Sequence, residues 1–184
     1  MRVRGAIPPG YPFGPRPKRP GGRGCKATPV SAKVHLLERS QRVALPPERA
    51  FEFYSDAFNL EPFTPPWLHF QVTTPMPITM GAETLLDYTL RLHGVPIRWQ
   101  TRILSWDPPH GFVDVQAKGP YSLWEHTHVL EPVGEGETVI HDRVRYAIPF
   151  GPLGALAHRL FVRRDLERIF DFRRDAVAAR VAAT

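Results

Sequence analysis

The chain has 184 residues, of which 42% are hydrophobic, and this is sufficient for one domain with a buried core. No stretch approaches the roughly 18 consecutive apolar residues of a membrane span, so a membrane-embedded protein is not expected. Cys25 is the single cysteine, which rules out an internal disulfide and leaves no thiol cluster for a structural zinc ion. This cysteine content fits a reducing compartment and predicts a cytoplasmic protein.

The net charge of +6 is unevenly distributed along the chain. Residues 1–33 hold eight lysines and arginines and no acidic residue, whereas the remainder holds 16 basic and 18 acidic residues. Residues 1–32 are also rich in proline and glycine, which predicts a disordered tail before a domain of residues 33–184. Three interpretations of the tail remain open: a basic arm that touches nucleic acid or acidic lipid, a solvated extension, or a segment that is not translated.

The first part of the domain combines one strand with short helical turns. Residues 34–45 have a strand pattern, and two prolines end it. Residues 47–54 predict a short helix with proline in its first turn and with Phe51 and Tyr54 facing inward. Residues 59–67 contain three prolines and predict a turn or a broken helix.

Six further strand patterns follow, separated by short turns. They cover residues 68–73, 83–93, 97–106, 112–118, 123–132 and 137–148. Connections this short predict antiparallel neighbours. Arginines alternate with apolar and aromatic residues in several of these strands, so the arginine faces are predicted to point to solvent and the aromatic faces to need cover.

Residues 151–180 predict one long amphipathic helix, which is the element large enough to give that cover. Its inward stripe is predicted to consist of Leu153, Leu156, Ala157, Leu160, Leu166, Ile169, Phe170 and Val177. Arg163, Arg164, Arg168, Arg173 and Arg174 fall mostly off the stripe and alternate with acidic residues, as on a solvated face. A curved sheet around one helix seldom closes tightly, so a pocket is expected between them.

Residues 119–128, with the sequence GPYSLWEHTH, are the most informative segment. On a strand, alternate side chains share a face, so Trp124, His126, His128 and Leu130 point the same way. A face that is both aromatic and polar favours the wall of a cavity for a partly polar molecule. The alternative is that both histidines are half-buried and hydrogen-bonded for structural reasons.

Several segments carry a resemblance to a known superfamily. They are residues 40–51, 59–68, 106–109, 112–116, 119–121, 124–128 and 142–146. Together they resemble the bacterial polyketide cyclase/dehydrase-like branch of the START-like superfamily, also called SRPBCC, over residues 34–180. The resemblance implies an α+β helix-grip fold, in which a curved antiparallel sheet of about seven strands wraps around a long C-terminal helix. It also implies a bound small hydrophobic molecule, such as a lipid, a quinone or a polyketide-like compound.

Strand alternation, with the arginine faces outward, predicts which side chains line the pocket. The ligand-binding candidates are Tyr88, Trp99, Tyr121, Trp124, His126, His128, Asp142 and Tyr146, with Tyr121 and Trp67 near the mouth. The tryptophans and Tyr88 would supply apolar contact, and the histidines, Asp142 and Tyr146 would orient the ligand. A binding protein without catalysis is the first hypothesis, and a cyclase or dehydratase with a histidine base is the second.

The histidine pair raises two further possibilities. His126, His128 and Asp142 are the catalytic candidates, although no catalytic role is assigned to them. The His-x-His spacing with Asp142 could also bind a metal, but no further motif supports this, so neither a metal nor a cofactor is predicted. A buried Asp114 is expected to pair with Arg98 or Arg102 and to be structural.

Overall fold

The computed structural model describes residues 33–134 and 136–183. The predictions for the basic tail, including nucleic-acid binding, lie outside the described residues. The strands are β1 (His35–Val43), β2 (Gln71–Val72), β3 (Leu85–Leu92), β4 (Val95–Asp107), β5 (Gly111–Lys118), β6 (Leu123–Pro132) and β7 (Thr138–Ala147). The helices are α1 (Pro47–Ser55), α2 (Gly151–Ala157) and α3 (Arg163–Ala182), with 3₁₀ turns at Ala57–Leu60 and Pro66–Leu68 and a π turn at His158–Val162.

The strands form one seven-stranded antiparallel sheet in the order β1-β7-β6-β5-β4-β3-β2. Strands β2 to β7 follow one another as a meander, and β1 pairs with β7 to complete the sheet. The β4–β5 pairing contains register shifts between Gln100 and Thr101 and between Ile103 and Ser105. Such irregularities bend a strand and increase its twist, which curves the sheet. The predicted α+β helix-grip fold is confirmed.

Helices α1 and α3 cover the concave face of the sheet. Val177 of α3 packs with Phe51 of α1 and Leu130 of β6 in one buried cluster. Leu166 and Phe170 of α3 pack in a second cluster with residues of β1 and β7. No helix in the described ranges is long and apolar enough to cross a membrane.

The prediction of a strand over residues 68–73 is wrong for most of that range. It is reduced to Gln71–Val72, and Leu68 is buried in the 3₁₀ turn. Two prolines precede Leu68, and His69 has a left-handed backbone with φ of 45°. This geometry turns the chain inward before pairing with β3 begins.

The predicted C-terminal stripe is wrong in its first third. Leu153, Leu156 and Leu160 are exposed, whereas Leu166, Phe170 and Val177 are buried as predicted. The buried residue in this part of the helix is Gly154, which packs so closely on the preceding segment that an added Cβ would collide with the carbonyl oxygen of Pro149. The π turn then breaks the 3.6-residue periodicity, so the stripe cannot be extrapolated across it.

Two leucines test this division of the helix surface. We expect Leu166→Ala to lower the free energy of unfolding by about 2–5 kcal/mol, because Leu166 of α3 is buried in the core. The matched variant Leu153→Ala should change it by less than about 0.5 kcal/mol, since Leu153 is 73% exposed. Urea unfolding followed by circular dichroism measures both values, and equal losses would contradict the assignment of Leu153 to the surface.

Candidate functional site

A cavity of about 180 Å³ lies between the concave face of the sheet and α3. Its walls come from α1, the turn after it, strands β3 to β6 and α3. Most of the lining is apolar, and the polar side chains gather where β5 and β6 pass beneath α3. The apolar lining includes Leu60, Phe63, Leu86, Leu90, Ile97, Ile103, Leu166 and Ile169.

Aromatic rings form one wall of this cavity. Trp99 stacks on Tyr88 at a centroid distance of 5.9 Å and meets Trp124 edge to face at 5.2 Å. The Trp99 indole N–H donates to Thr101 Oγ1 at 3.1 Å, and the hydroxyl groups of Tyr88 and Thr101 lie 2.9 Å apart. Thr101 therefore partners the polar atoms of the wall, which leaves the ring surfaces to contact a ligand.

Two histidines and two aspartates form the polar end, which we call the His/Asp cluster: Asp114, His126, His128 and Asp142. Cross-strand pairing assembles it, because Asp114 is opposite His126 and His128 is opposite Asp142. Asp142 Oδ1 lies 3.0 Å from His126 Nε2 and 2.9 Å from His128 Nδ1. Asp114 Oδ2 lies 3.1 Å from His128 Nε2 and 3.7 Å from His126 Nδ1.

Burial makes the charges of this cluster interdependent. Burial lowers the pKa of His126, and the neighbouring His128 lowers it further. Burial also opposes a charge on His128, but its contacts with Asp114 and Asp142 outweigh this effect and raise its pKa. Burial would raise the pKa of Asp142, yet the two histidines hold it well below its usual range. Asp142 is therefore ionised, and His128 carries a positive charge more readily than His126.

Tyr54 of α1 connects the helical layer to the cluster. Its hydroxyl group donates a hydrogen bond of 2.8 Å to Asp142 Oδ2. Burial, followed by the charge of Asp142, raises the pKa of Tyr54 well above its ordinary value, so the hydroxyl group remains a donor. The sequence predicted that Tyr54 faces inward, but its partner comes from β7 and is distant in the chain.

Arg173 of α3 is a cavity residue that the sequence analysis placed on the solvated face. Its guanidinium lies 5.3 Å from the ring centroid of Phe170, and its side chain lines the cavity. Its Nε atom is buried without a hydrogen-bond partner. The sequence does contain one signal for this position. Arg173 comes three residues after the inward-facing Phe170, and residues at that spacing are neighbours on a helix.

The predicted ligand-binding residues divide into two groups. Tyr88, Trp99, Tyr121, Trp124, His126 and His128 line the cavity. Asp142 contacts both histidines without lining the cavity. The hydroxyl group of Tyr146 instead lies 3.0 Å from His158 Nε2. Trp67 lies outside the main cavity and packs edge to face on Phe172.

The predicted partner of Asp114 is wrong. Asp114 lines the cavity and pairs with His126 and His128, not with arginine. Arg98 and Arg102 are exposed, and Arg102 lies 3.6 Å from Glu83. Alternation groups Asp114 with Gln116 on one face of β5 but cannot indicate which face is concave.

Comparison with known proteins places the chain in a family. The family model described as "Polyketide cyclase / dehydrase and lipid transport" matches residues 34–182. The chain belongs to this family. No curated protein shows a significant match to the chain.

Solved structures share the fold of this family member at low sequence identity. The Zhui aromatase/cyclase from Streptomyces sp. R1128 matches with a TM-score of 0.66 and 15% identity, covering 82% of this chain and 94% of that one. The protein TTHA0849 from Thermus thermophilus matches with a TM-score of 0.65 and 21% identity, covering 81% and 98%. Norcoclaurine synthase from Thalictrum flavum matches with a TM-score of 0.61 and 19% identity, covering 84% and 98%.

Two tyrosines allow a test of the ionised state of Asp142. We expect Tyr54→Phe to lower the free energy of unfolding by about 1.5–3 kcal/mol, because it removes a hydrogen bond to a buried charged group. The matched variant Tyr88→Phe removes a hydrogen bond to a neutral hydroxyl group and should cost about 0.5–1.5 kcal/mol. Chemical unfolding measures both, and a larger loss for Tyr88→Phe would contradict the assignment.

Proposed function

We propose that the protein binds a small, largely aromatic molecule with an oxygen-bearing polar group in the cavity between the sheet and α3. The observation that carries this proposal is the division of one cavity into an aromatic wall and a charged end. The rings of Trp99 and Trp124 would provide apolar contact area. The His/Asp cluster and Arg173 would orient the polar group.

The cavity volume supports a ligand of one or two rings. At about 180 Å³ it is close to the ~150 Å³ cavity that holds benzene in an engineered protein. A lipid with two long acyl chains needs several times this volume. Among the ligand classes implied by the sequence, a small polyketide-like or quinone-like ring system is therefore favoured.

The mixture of donors and acceptors supports an oxygen-bearing ligand. Arg173 has a buried Nε atom without a partner, and a guanidinium group donates hydrogen bonds without accepting any. A carbonyl, phenolate or carboxylate oxygen would accept from it. A norcoclaurine synthase of the same fold has been solved in complex with dopamine and hydroxybenzaldehyde, which are molecules of this size and chemistry.

An enzyme of the cyclase or dehydratase type is the second candidate. The observation that favours it is the chain of contacts from Tyr54 through Asp142 to His126, because His126 lines the cavity. A carboxylate that fixes one imidazole nitrogen leaves the other to move a proton. The family description includes both cyclases and lipid transport, and it supports either candidate.

Two tryptophans provide the test of binding. With 2-naphthol as a probe, we expect Trp99→Leu to weaken binding by about tenfold or more, because the loss of aromatic contact removes on the order of 1.5–3 kcal/mol. The matched variant Trp67→Leu should bind as the wild type does, since Trp67 packs on Phe172 outside this cavity. Isothermal titration calorimetry gives both affinities.

Native mass spectrometry of protein from its own host complements this titration. A co-purified molecule that is lost in Trp99→Leu and kept in Trp67→Leu would support binding in the cavity. Equal affinities of the two variants for 2-naphthol would overturn the proposal. The second candidate is distinguished by turnover of the identified ligand, which His126→Gln would abolish while leaving its binding within about threefold, a change of less than about 1 kcal/mol.

A further inference from the structure

The His/Asp cluster holds two carboxylates around one pair of imidazoles, an arrangement that the binding proposal does not explain. Asp114 lines the largely apolar cavity, and Asp142 lies behind the lining against both histidines. Within the described residues, the basic nitrogens that lie within 4 Å of either carboxylate belong to His126 and His128. Two buried carboxylates this close to one another need positive charge or hydrogen-bond donors between them.

The contacts of His128 are also incomplete. Its Nε2 atom is in hydrogen-bond geometry with Asp114 Oδ2 at 3.1 Å. Its Nδ1 atom lies 2.9 Å from Asp142 Oδ1 but has no hydrogen-bond partner. A buried ring nitrogen against a carboxylate oxygen without a hydrogen bond is an unsatisfied contact, and such contacts are uncommon in native proteins.

The two carboxylates occupy different positions relative to the imidazole rings. Asp142 faces Nε2 of His126 and Nδ1 of His128, and Tyr54 holds its second oxygen. Asp114 faces the remaining nitrogens, Nδ1 of His126 and Nε2 of His128. Histidines that bind metals donate their outer N–H to a carboxylate, which fixes the tautomer and aims the other nitrogen at the ion. Asp142 is placed for that outer role.

We propose that Asp114 Oδ2, His126 Nδ1 and His128 Nε2 form a binding site for a divalent first-row transition-metal ion. Asp142 would be the outer carboxylate that orients both imidazoles. The binding of an ion at His128 Nε2 would leave the ring proton on Nδ1, facing Asp142. An ion at this position would also place positive charge beside Asp114.

The spacing of the donor atoms fits such an ion. Suitable oxygen and nitrogen atoms of Asp114, His126 and His128 all lie within 4.8 Å of one another. The separations of Asp114 Oδ2 from the two ring nitrogens, 3.1 Å and 3.7 Å, bracket the ~3.3 Å between ligands of a tetrahedral ion with bonds of ~2.0–2.1 Å. Side-chain rotations that bring the two ring nitrogens, which lie within 4.8 Å of each other, to a similar separation would close the site.

The donor chemistry also restricts the metal. Two imidazoles and one carboxylate suit Zn²⁺ and Fe²⁺, whereas Mg²⁺ and Ca²⁺ prefer sites made of oxygen. Three protein ligands leave a coordination position open. Since all three residues line the cavity, that position would face it. The metal proposal does not depend on the aromatic ligand, because the site is complete without one.

Equilibrium dialysis of the tag-free full chain against Zn²⁺ tests the proposal, with bound metal counted by mass spectrometry. The protein should carry Cys25→Ser, because a thiolate in the tail could bind zinc by itself. We expect one Zn²⁺ per chain and no saturable Mg²⁺ binding. The substituted Co²⁺ protein should show the intense visible absorption of a four-coordinate ion.

Three variants assign the ligands. Asp114→Asn keeps the shape of the side chain and removes its charge, and we expect it to abolish stoichiometric binding. Asp142→Asn should weaken affinity by about 10–100-fold, as expected for an outer carboxylate. The control is His141→Gln, because His141 is also a buried histidine beside a carboxylate, 3.0 Å from Glu131, but it belongs to neither the cluster nor the cavity. It should bind Zn²⁺ as the wild type does.

Circular dichroism and thermal unfolding establish that each variant is folded before its affinity is compared. Absence of stoichiometric Zn²⁺ binding by the folded wild-type chain would overturn the proposal. Equal affinities of the folded Asp114→Asn and His141→Gln variants would also overturn it. Neither result would affect the 2-naphthol titration, so the metal and ligand proposals fail independently.

Discussion

The cross-strand register of β5, β6 and β7 is the constraint on which the functional site depends. It pairs Asp114 with His126 and His128 with Asp142, so four ionisable groups meet on the concave face. Moving one strand by a single residue would turn its side chains to the other face of the sheet. The cluster would then lose its partners, and the remaining buried charges would be uncompensated.

The curved sheet and α3 turn this register into a cavity. Register shifts in β4–β5 bend the sheet, while Leu166, Phe170 and Val177 hold α3 across its concave face. Separate clusters bury the two parts of α3, and the cavity lies where the packing between them is incomplete. The same layer of side chains therefore forms both the hydrophobic core and the walls of the cavity.

The two ends of the cavity differ in how their polar atoms find partners. Thr101 satisfies the polar atoms of Tyr88 and Trp99, so the aromatic wall presents ring surfaces to the cavity. At the other end, hydrogen bonds and ion pairs are shared among a few buried groups, and each group changes the charge state of its neighbours. A ligand or a metal ion at that end would enter a network that is already coupled to α1 through Tyr54.

Sequence alone determined the α+β architecture, because strand alternation and short turns are local patterns that do not depend on tertiary contacts. It also placed Trp124, His126 and His128 on one face, since the two-residue period of a strand leaves no choice. The tertiary structure decided which face of β5 is concave, and therefore brought Asp114 to the histidines instead of to arginine. It also decided that a charged residue, Arg173, lines the cavity on the same side of α3 as Phe170. Leu153 is exposed because the π turn and the close approach at Gly154 interrupt the regular helical period before α3. Such contacts depend on residues distant in the chain, and a local pattern contains no information about them.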